Sequence, residues 1–237
     1  MDIKQQSSQT VNRATGIDAG LRDHFRHVYN TMSMGLVVTG LVAFAIANIP
    51  PLVQFLFGTP MKFVVMFAPL IFMFFGFSHK AVMTKSAGQL RGMFYAFSAV
   101  FGASLSVIFL AYAGADIARA FFITAATFAA TSVYGYVTKT DLSKFGSFLI
   151  MGVIGILIAS VVNIFLASSM LHFVISCAGV LIYTGLTAYD TQNIKEMYNH
   201  AHGEEANNKM AVMGALSLYI NFIMLFQFIL SLLSSRD

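Results

Sequence analysis

The sequence predicts an all-α integral membrane protein, a bundle of seven transmembrane helices. Three observations carry this. Of the 237 residues, 57% are hydrophobic and only 10% are charged, where a soluble domain carries roughly 25% charge. Mean hydropathy is +0.75. The apolar residues are gathered into runs near the ~20 residues that a helix needs to cross a bilayer, and the lysines and arginines fall mostly between alternate runs.

The runs lie at 28–48, 62–78, 92–114, 117–137, 146–167, 171–190 and 210–233. Pro50-Pro51 ends the first, because two prolines cannot continue the helical ladder. The second is short and rich in Phe and Met. Gly114-Ala-Asp116 splits the third from the fourth and makes them a tight hairpin. The fifth and sixth are separated only by Ala167-Ser-Ser-Met-Leu-His172, a second tight hairpin. The longest break, Asn199–Asn208, precedes the seventh.

Residues 1–23 are a polar tail of mixed charge, without the order of a secretory leader. Residues 24–237 form one seven-span membrane domain, and nothing outside the spans is long enough to bury its own core. The single Cys177 excludes an intrachain disulfide and a multi-cysteine metal site; it is expected to be buried and inert. Small residues at Gly35, Thr39, Gly40, Gly152, Gly155 and Ala159 are expected to let helices approach closely. The Met and Phe content is expected to face lipid.

Orientation follows from Lys and Arg counted on alternate sides. Lys4, Arg13, Arg22, Arg26, Lys80, Lys85, Arg91, Lys139, Lys144, Lys195 and Lys209 fall on one side; Lys62, Arg119 and Arg236 fall on the other. That balance places the N-terminus in the cytoplasm and, with seven spans, the C-terminus outside. His24, His27, His200 and His202 then lie in cytoplasmic segments and are expected to be solvated.

Asp190 is the only acid inside an apolar run. A carboxylate there costs about 2.5–3.5 kcal/mol on insertion scales, so it calls for a partner or a function. Tyr183, Thr187, Asp190 and Ile194 follow i, i+4, i+7, i+11 and share a face, with Thr191 beside it. If the helix runs to about Tyr198, Asp190 sits roughly 12 Å from its cytoplasmic end. On the last span, Ser217 and Asn221 are spaced i, i+4. An amide can donate to a carboxylate or accept from its protonated form, which makes Asn221 a chemically sensible partner for Asp190. No firm metal set is present. A Ca²⁺ site at Asp190 would be weak, since Ca²⁺ wants several charged oxygen ligands.

Tyr189-Asp190-Thr191-Gln192 closing one span, Ala215-Leu-Ser-Leu-Tyr-Ile-Asn-Phe-Ile223 opening the next, and Gly102-Ala-Ser-Leu-Ser-Val-Ile-Phe109 in the third span resemble the transmembrane Bax inhibitor motif family, bacterial branch. The resemblance implies a seven-helix bundle with the seventh helix central, in a bacterial inner membrane. It implies a pH-sensitive calcium leak controlled by two acids, with Ca²⁺ as the permeant ion and no bound cofactor. One acid matches Asp190; at the other position this chain has Asn221. It also implies a basic latch on the second span, near His79 or Lys80. Bacterial relatives of the family are associated with restraining a membrane-bound protease, so the alternative to a channel is a membrane-embedded modulator, with the Lys4–Arg26 tail as one docking surface.

An enzyme is not expected. No Gly-x-Gly-Asp follows on a later span to complete an aspartyl pair, and no Gly-x-Ser-x-Gly turn with a histidine nearby is present. Nothing points to nucleic acid or a small-molecule substrate; the lipid bilayer is the one partner the composition requires.

Overall fold

The computed structural model describes the backbone of residues 3–234 and the side chains from Ala19 to Ser234. The side chains of Lys4 and Arg13, and residues Arg236 and Asp237, on which the tail surface and the external C-terminus partly rest, lie outside the described residues.

The described residues form nine α-helices: α1 (Ile3–Ala47), α2 (Pro50–Phe57), α3 (Met61–Gly76), α4 (His79–Thr84), α5 (Ala87–Ala111), α6 (Gly114–Val137), α7 (Ser143–Leu166), α8 (Ser169–Met197) and α9 (Glu204–Ser234). A single 3-10 turn, His200–His202, joins the last two. No strand is present among the described residues. Six helices are long and apolar enough to cross a membrane. The pair α2–α3, bent by 81°, makes a seventh crossing if it counts as one span, where the sequence suggested one short span.

The bend falls at Gly58-Thr59-Pro60, where Gly58 caps α2 and Pro60 is the N-cap of α3. Pro50 and Pro51 stop α1 and then start α2, since proline at the first helical positions gives up only an amide that has no partner there. Met61–Gly76 alone rises about 24 Å, short of the ~30 Å hydrocarbon core. α3 also contains Pro69, whose missing N–H leaves the carbonyl of Val65 without its helical donor. The Ser104 hydroxyl of α5 donates to that carbonyl instead. A proline inside a span is tolerated when a neighbouring helix re-satisfies the freed group.

α9 is the centre of the bundle. It packs on α1, α5, α6 and α8, and 56% of its apolar window is buried, against 6% for α7. Its Val212, Ala215, Leu218, Tyr219 and Leu225 are sealed from solvent. Aromatic side chains wrap it: Phe94 and Phe97 meet the Tyr219 ring edge-on at 5.3 and 5.9 Å, and Phe128 meets Phe222 at 5.4 Å. Phenylalanine is therefore core as well as lipid-facing surface, a correction to the expected role of these residues. Cys177 is only half-buried.

The close helix approaches occur at other small residues than most of those expected. A Cβ on Gly40 or Gly155 would meet nothing within 4 Å, and those on Gly35 and Gly152 would meet only side chains. Backbone approaches backbone at Gly102, where a Cβ would lie 2.6 Å from the Thr39 carbonyl oxygen of α1, and at Gly135, where it would collide with the Ala188 carbonyl of α8.

The connections are tight. Only Ala167 and Ser168 separate α7 from α8, and Ala167 takes the left-handed conformation (φ 46°, ψ 35°) that ends a helix abruptly. Gln192 of α8 holds the α6–α7 loop from both sides. Its Oε1 accepts from Leu142 N at 2.7 Å and its Nε2 donates to the Thr140 carbonyl at 2.9 Å. Ser86 and Gln89 cap the start of α5 reciprocally, and Ala87 N donates to Glu205 Oε1 of α9 at 2.8 Å.

Candidate functional site

The site forms where α8 and α9 pack side by side. Asp190 projects from α8 toward Ser217 and Asn221, one turn apart on α9. The Ser217 hydroxyl and the Asn221 amide both donate to one carboxylate oxygen, Oδ2, the amide at 2.7 Å. Asn221 is buried, 5% exposed, and Asp190 is half-buried. An ionised carboxylate only accepts hydrogen bonds, so two donors converging on it compensate part of its desolvation.

α8 ends at Met197, which places Asp190 about 10 Å from the helix end at 1.5 Å per residue. A cavity of about 170 Å³ opens at this point, lined by Asp190, Asn193, Ser217, Gly214 and three methionines. It has room for several water molecules. His24 of α1 lines the same cavity.

His24 is the residue the sequence reading misplaced. It was expected to be solvated in a cytoplasmic segment, but α1 extends through that region and His24 is 6% exposed, its ring 5.1 Å from that of Tyr198. The signal was present: His24, Val28, Thr31, Gly35 and Thr39 follow helical spacing on one face, and the first three are buried with Thr39. His27 is half-buried, and His200 and His202 are exposed.

The other expected site residues divide by direction. One residue turns a helix face by about 100°, so Thr191 leaves the Asp190 direction. It pairs with Ser132 of α6 at 3.0 Å, and Ser132 pairs with Tyr29 of α1. Thr187 is fully buried and donates to the Tyr183 carbonyl of its own helix at 2.8 Å. Tyr183 stacks on Phe228 at 5.8 Å and lines a different cavity, of about 850 Å³, toward α3. Of the expected polar face, only Ser217 and Asn221 reach Asp190. His79 and Lys80 are exposed at the start of α4 and line no part of the Asp190 cavity. Among the described residues, no group of three or more His, Cys, Asp or Glu side chains could hold a metal ion.

A second polar knot lies deeper in the core. The Thr39 hydroxyl is 2.6 Å from Tyr219 Oη and 2.9 Å from the Ser98 and Gly35 carbonyls. It ties α1, α5 and α9 together where Gly102 lets α1 and α5 touch.

The family model for the inhibitor of apoptosis-promoting Bax1 matches residues 21–237. A protein of Caulobacter vibrioides described as uncharacterised is 46% identical over 226 residues, covering 91% of this chain and 89% of its own length. An uncharacterised protein of Rickettsia prowazekii is 40% identical over 230 residues, covering 96% and 95%. The inner membrane protein YbhL of Escherichia coli is 38% identical over 220 residues, covering 92% and 94%. With a helical multi-pass bundle and the family model spanning nearly all of it, the chain belongs to the Bax inhibitor family of membrane proteins.

Proposed function

We propose that the protein is a pH-sensitive cation leak, with Ca²⁺ as the permeant ion and the α8–α9 contact at Asp190 as its gate. The observation that supports this is the convergence of Ser217 and Asn221 on one oxygen of Asp190, beside a cavity near one end of the bundle. Protonation turns that carboxylate into a group that also donates. It can then no longer hold two α9 donors on equal terms, and the α8–α9 contact loosens. One carboxylate with one hydroxyl and one amide is a poor resident Ca²⁺ site, so the ion is cargo that passes Asp190. No chemical transformation is assigned to the protein.

The test is Ca²⁺ flux into proteoliposomes of the purified protein at two pH values. Asp190→Asn keeps the acceptor oxygen and removes the titration, so flux should persist and lose its pH dependence. A variant that retains the wild-type profile would remove Asp190 from the gate.

A second reading, a modulator of a membrane-bound protease, is favoured by α7. Only 6% of its apolar window is buried, and Phe148, Met151, Ile158 and Phe165 face outward, 61–85% exposed, a face that fits a partner's membrane helix. A photo-crosslinker at Phe148 should then capture one discrete membrane protein in cells. Capture of lipid alone would dismiss this reading.

A further inference from the structure

We propose that the groove between α1 and α6 is a binding site for one anionic phospholipid, with an acyl chain along the groove and the phosphate at Arg22 and Arg26. α1 packs on α5 and α9, and α6 packs on α8 and α9, but the α1 and α6 backbones scarcely approach each other. The gap is a cavity of about 860 Å³, walled by apolar side chains such as Leu36, Phe121, Phe128 and Val133, with Phe222 of α9 also lining it. Its two ends differ. At one end Arg22 and Arg26, both exposed, line it together with Asn30 and Tyr136. The other end is wholly apolar, where Leu36 and Phe121 meet. No acidic side chain lines the groove among the described residues; neighbouring Asp23 lies 3.6 Å from His27.

The dimensions and charge select the occupant. From Arg22 to Leu36 the groove follows α1 for about 21 Å, the length of an extended acyl chain of a membrane lipid. Two guanidiniums at one end of an otherwise apolar slot match a phosphate headgroup above a hydrocarbon tail. A partner helix would fit the apolar walls but would bring no negative charge to Arg26 at the mouth. The cationic end is the cytoplasmic one by the Lys/Arg distribution, where a juxtamembrane Lys or Arg near an anionic leaflet strengthens lipid attraction about fivefold per residue. The Tyr29–Ser132–Thr191 chain borders the same groove, so the headgroup end adjoins the helix that carries Asp190. The lipid site does not depend on the leak being real.

The chain has no tryptophan, so one introduced indole reports alone. Ala129→Trp places it in the groove wall, and Ile158→Trp, on the outer face of α7, reports ordinary lipid contact. Each protein is reconstituted in phosphatidylcholine vesicles containing a minor fraction of brominated phosphatidylglycerol. Quenching at Ala129→Trp should exceed that at Ile158→Trp several-fold. It should fall about fivefold with Arg26→Gln and further with Arg22→Gln added, while Ile158→Trp is unchanged by either. Brominated phosphatidylcholine at the same fraction should give no preference. Equal quenching at the two positions, equal quenching by both lipids, or a preference that survives loss of both arginines would each overturn the proposal. Exclusion of all lipid from Ala129→Trp, with a crosslinked dimer, would assign the groove to a second copy instead. If the double variant does not insert, Arg26→Gln alone carries the comparison.

Discussion

At the scale of single residues, Asn221 is the departure with the largest chemical consequence. It now donates to Asp190 Oδ2 at 2.7 Å. Asn221→Asp would replace that donor with an oxygen, and two carboxylates in contact must share a proton or a cation. The variant should therefore be stable at low pH, lose thermal stability as pH rises and the shared proton leaves, and regain it on addition of Ca²⁺. Wild type should show neither effect to the same degree. Thermal unfolding in detergent at several pH values, with Ca²⁺ and with chelator, measures both; a variant that behaves as wild type would mean that α8 and α9 separate easily here. Ser104 gives a second prediction. Its hydroxyl is the donor that reaches the Val65 carbonyl freed by Pro69, so Ser104→Ala should cost about 1–3 kcal/mol, and Pro69→Ala in that background should recover part of it. An additive double variant would show that the two residues are unconnected. The Asp190–Asn221 partnership was legible in sequence because a polar residue in an apolar run advertises itself. His24 was legible only in its helical spacing with Val28, Thr31 and Thr39; that this face is buried emerges only once α1 is seen to run on ahead of the apolar run.

At the scale of elements, the signature Tyr189-Asp190-Thr191-Gln192 is four neighbours with different tasks, set by the 100° step of the helix. Asp190 meets α9, Thr191 meets α6, and Gln192 holds the α6–α7 loop by two bonds to its backbone. Tyr189 closes on Gly146 of α7, whose Cβ would lie 2.6 Å from the ring. Gln192→Ala should cost about 1–3 kcal/mol by leaving loop groups unsatisfied and should speed amide exchange at Leu142. Unchanged exchange there would mean the loop holds itself. Ala167 presents the reverse case. Left-handed backbone strains an L-residue by roughly 1–2 kcal/mol, so Ala167→Gly should raise thermal stability, offset in part by a freer unfolded chain. Stability falling instead would mean that the turn is held by more than its dihedral angles. The hairpins were readable because short polar or Gly-containing breaks between long apolar runs leave no other path. The tight α1–α5 and α6–α8 contacts were not, because a lone Gly102 or Gly135 looks like Gly155 until the neighbouring helix is in place.

At the scale of the whole molecule, the count of crossings turns on α2 and α3. The His24 ring of α1 lies 5.1 Å from that of Tyr198, in the α8–α9 connection, and the first residue of α5 donates to Glu205 at the start of α9. α1 and α5 therefore begin at the same end of the bundle, and the bent pair between them must return the chain along its length. Lys85, Lys139, Lys195 and Lys209 gather at that end, and Lys62 and Arg119 at the other, the asymmetry behind the expectation that the first end is cytoplasmic. Periodicity marks seven apolar runs and shows the second to be short, but it could not show that α2 precedes it at 81°, lying nearly across the axis of α3. A returning pair puts Thr59 and Lys85 on opposite faces of the membrane; a re-entrant pair would put them on one. Single cysteines at these positions, in a Cys177→Ala background, should differ in labelling by a membrane-impermeant maleimide in intact cells, with Thr59→Cys reactive and Lys85→Cys reactive only after permeabilisation. Labelling of both before permeabilisation would make α2–α3 a re-entrant loop, leave six crossings, and bring the two ends of the chain to the same side.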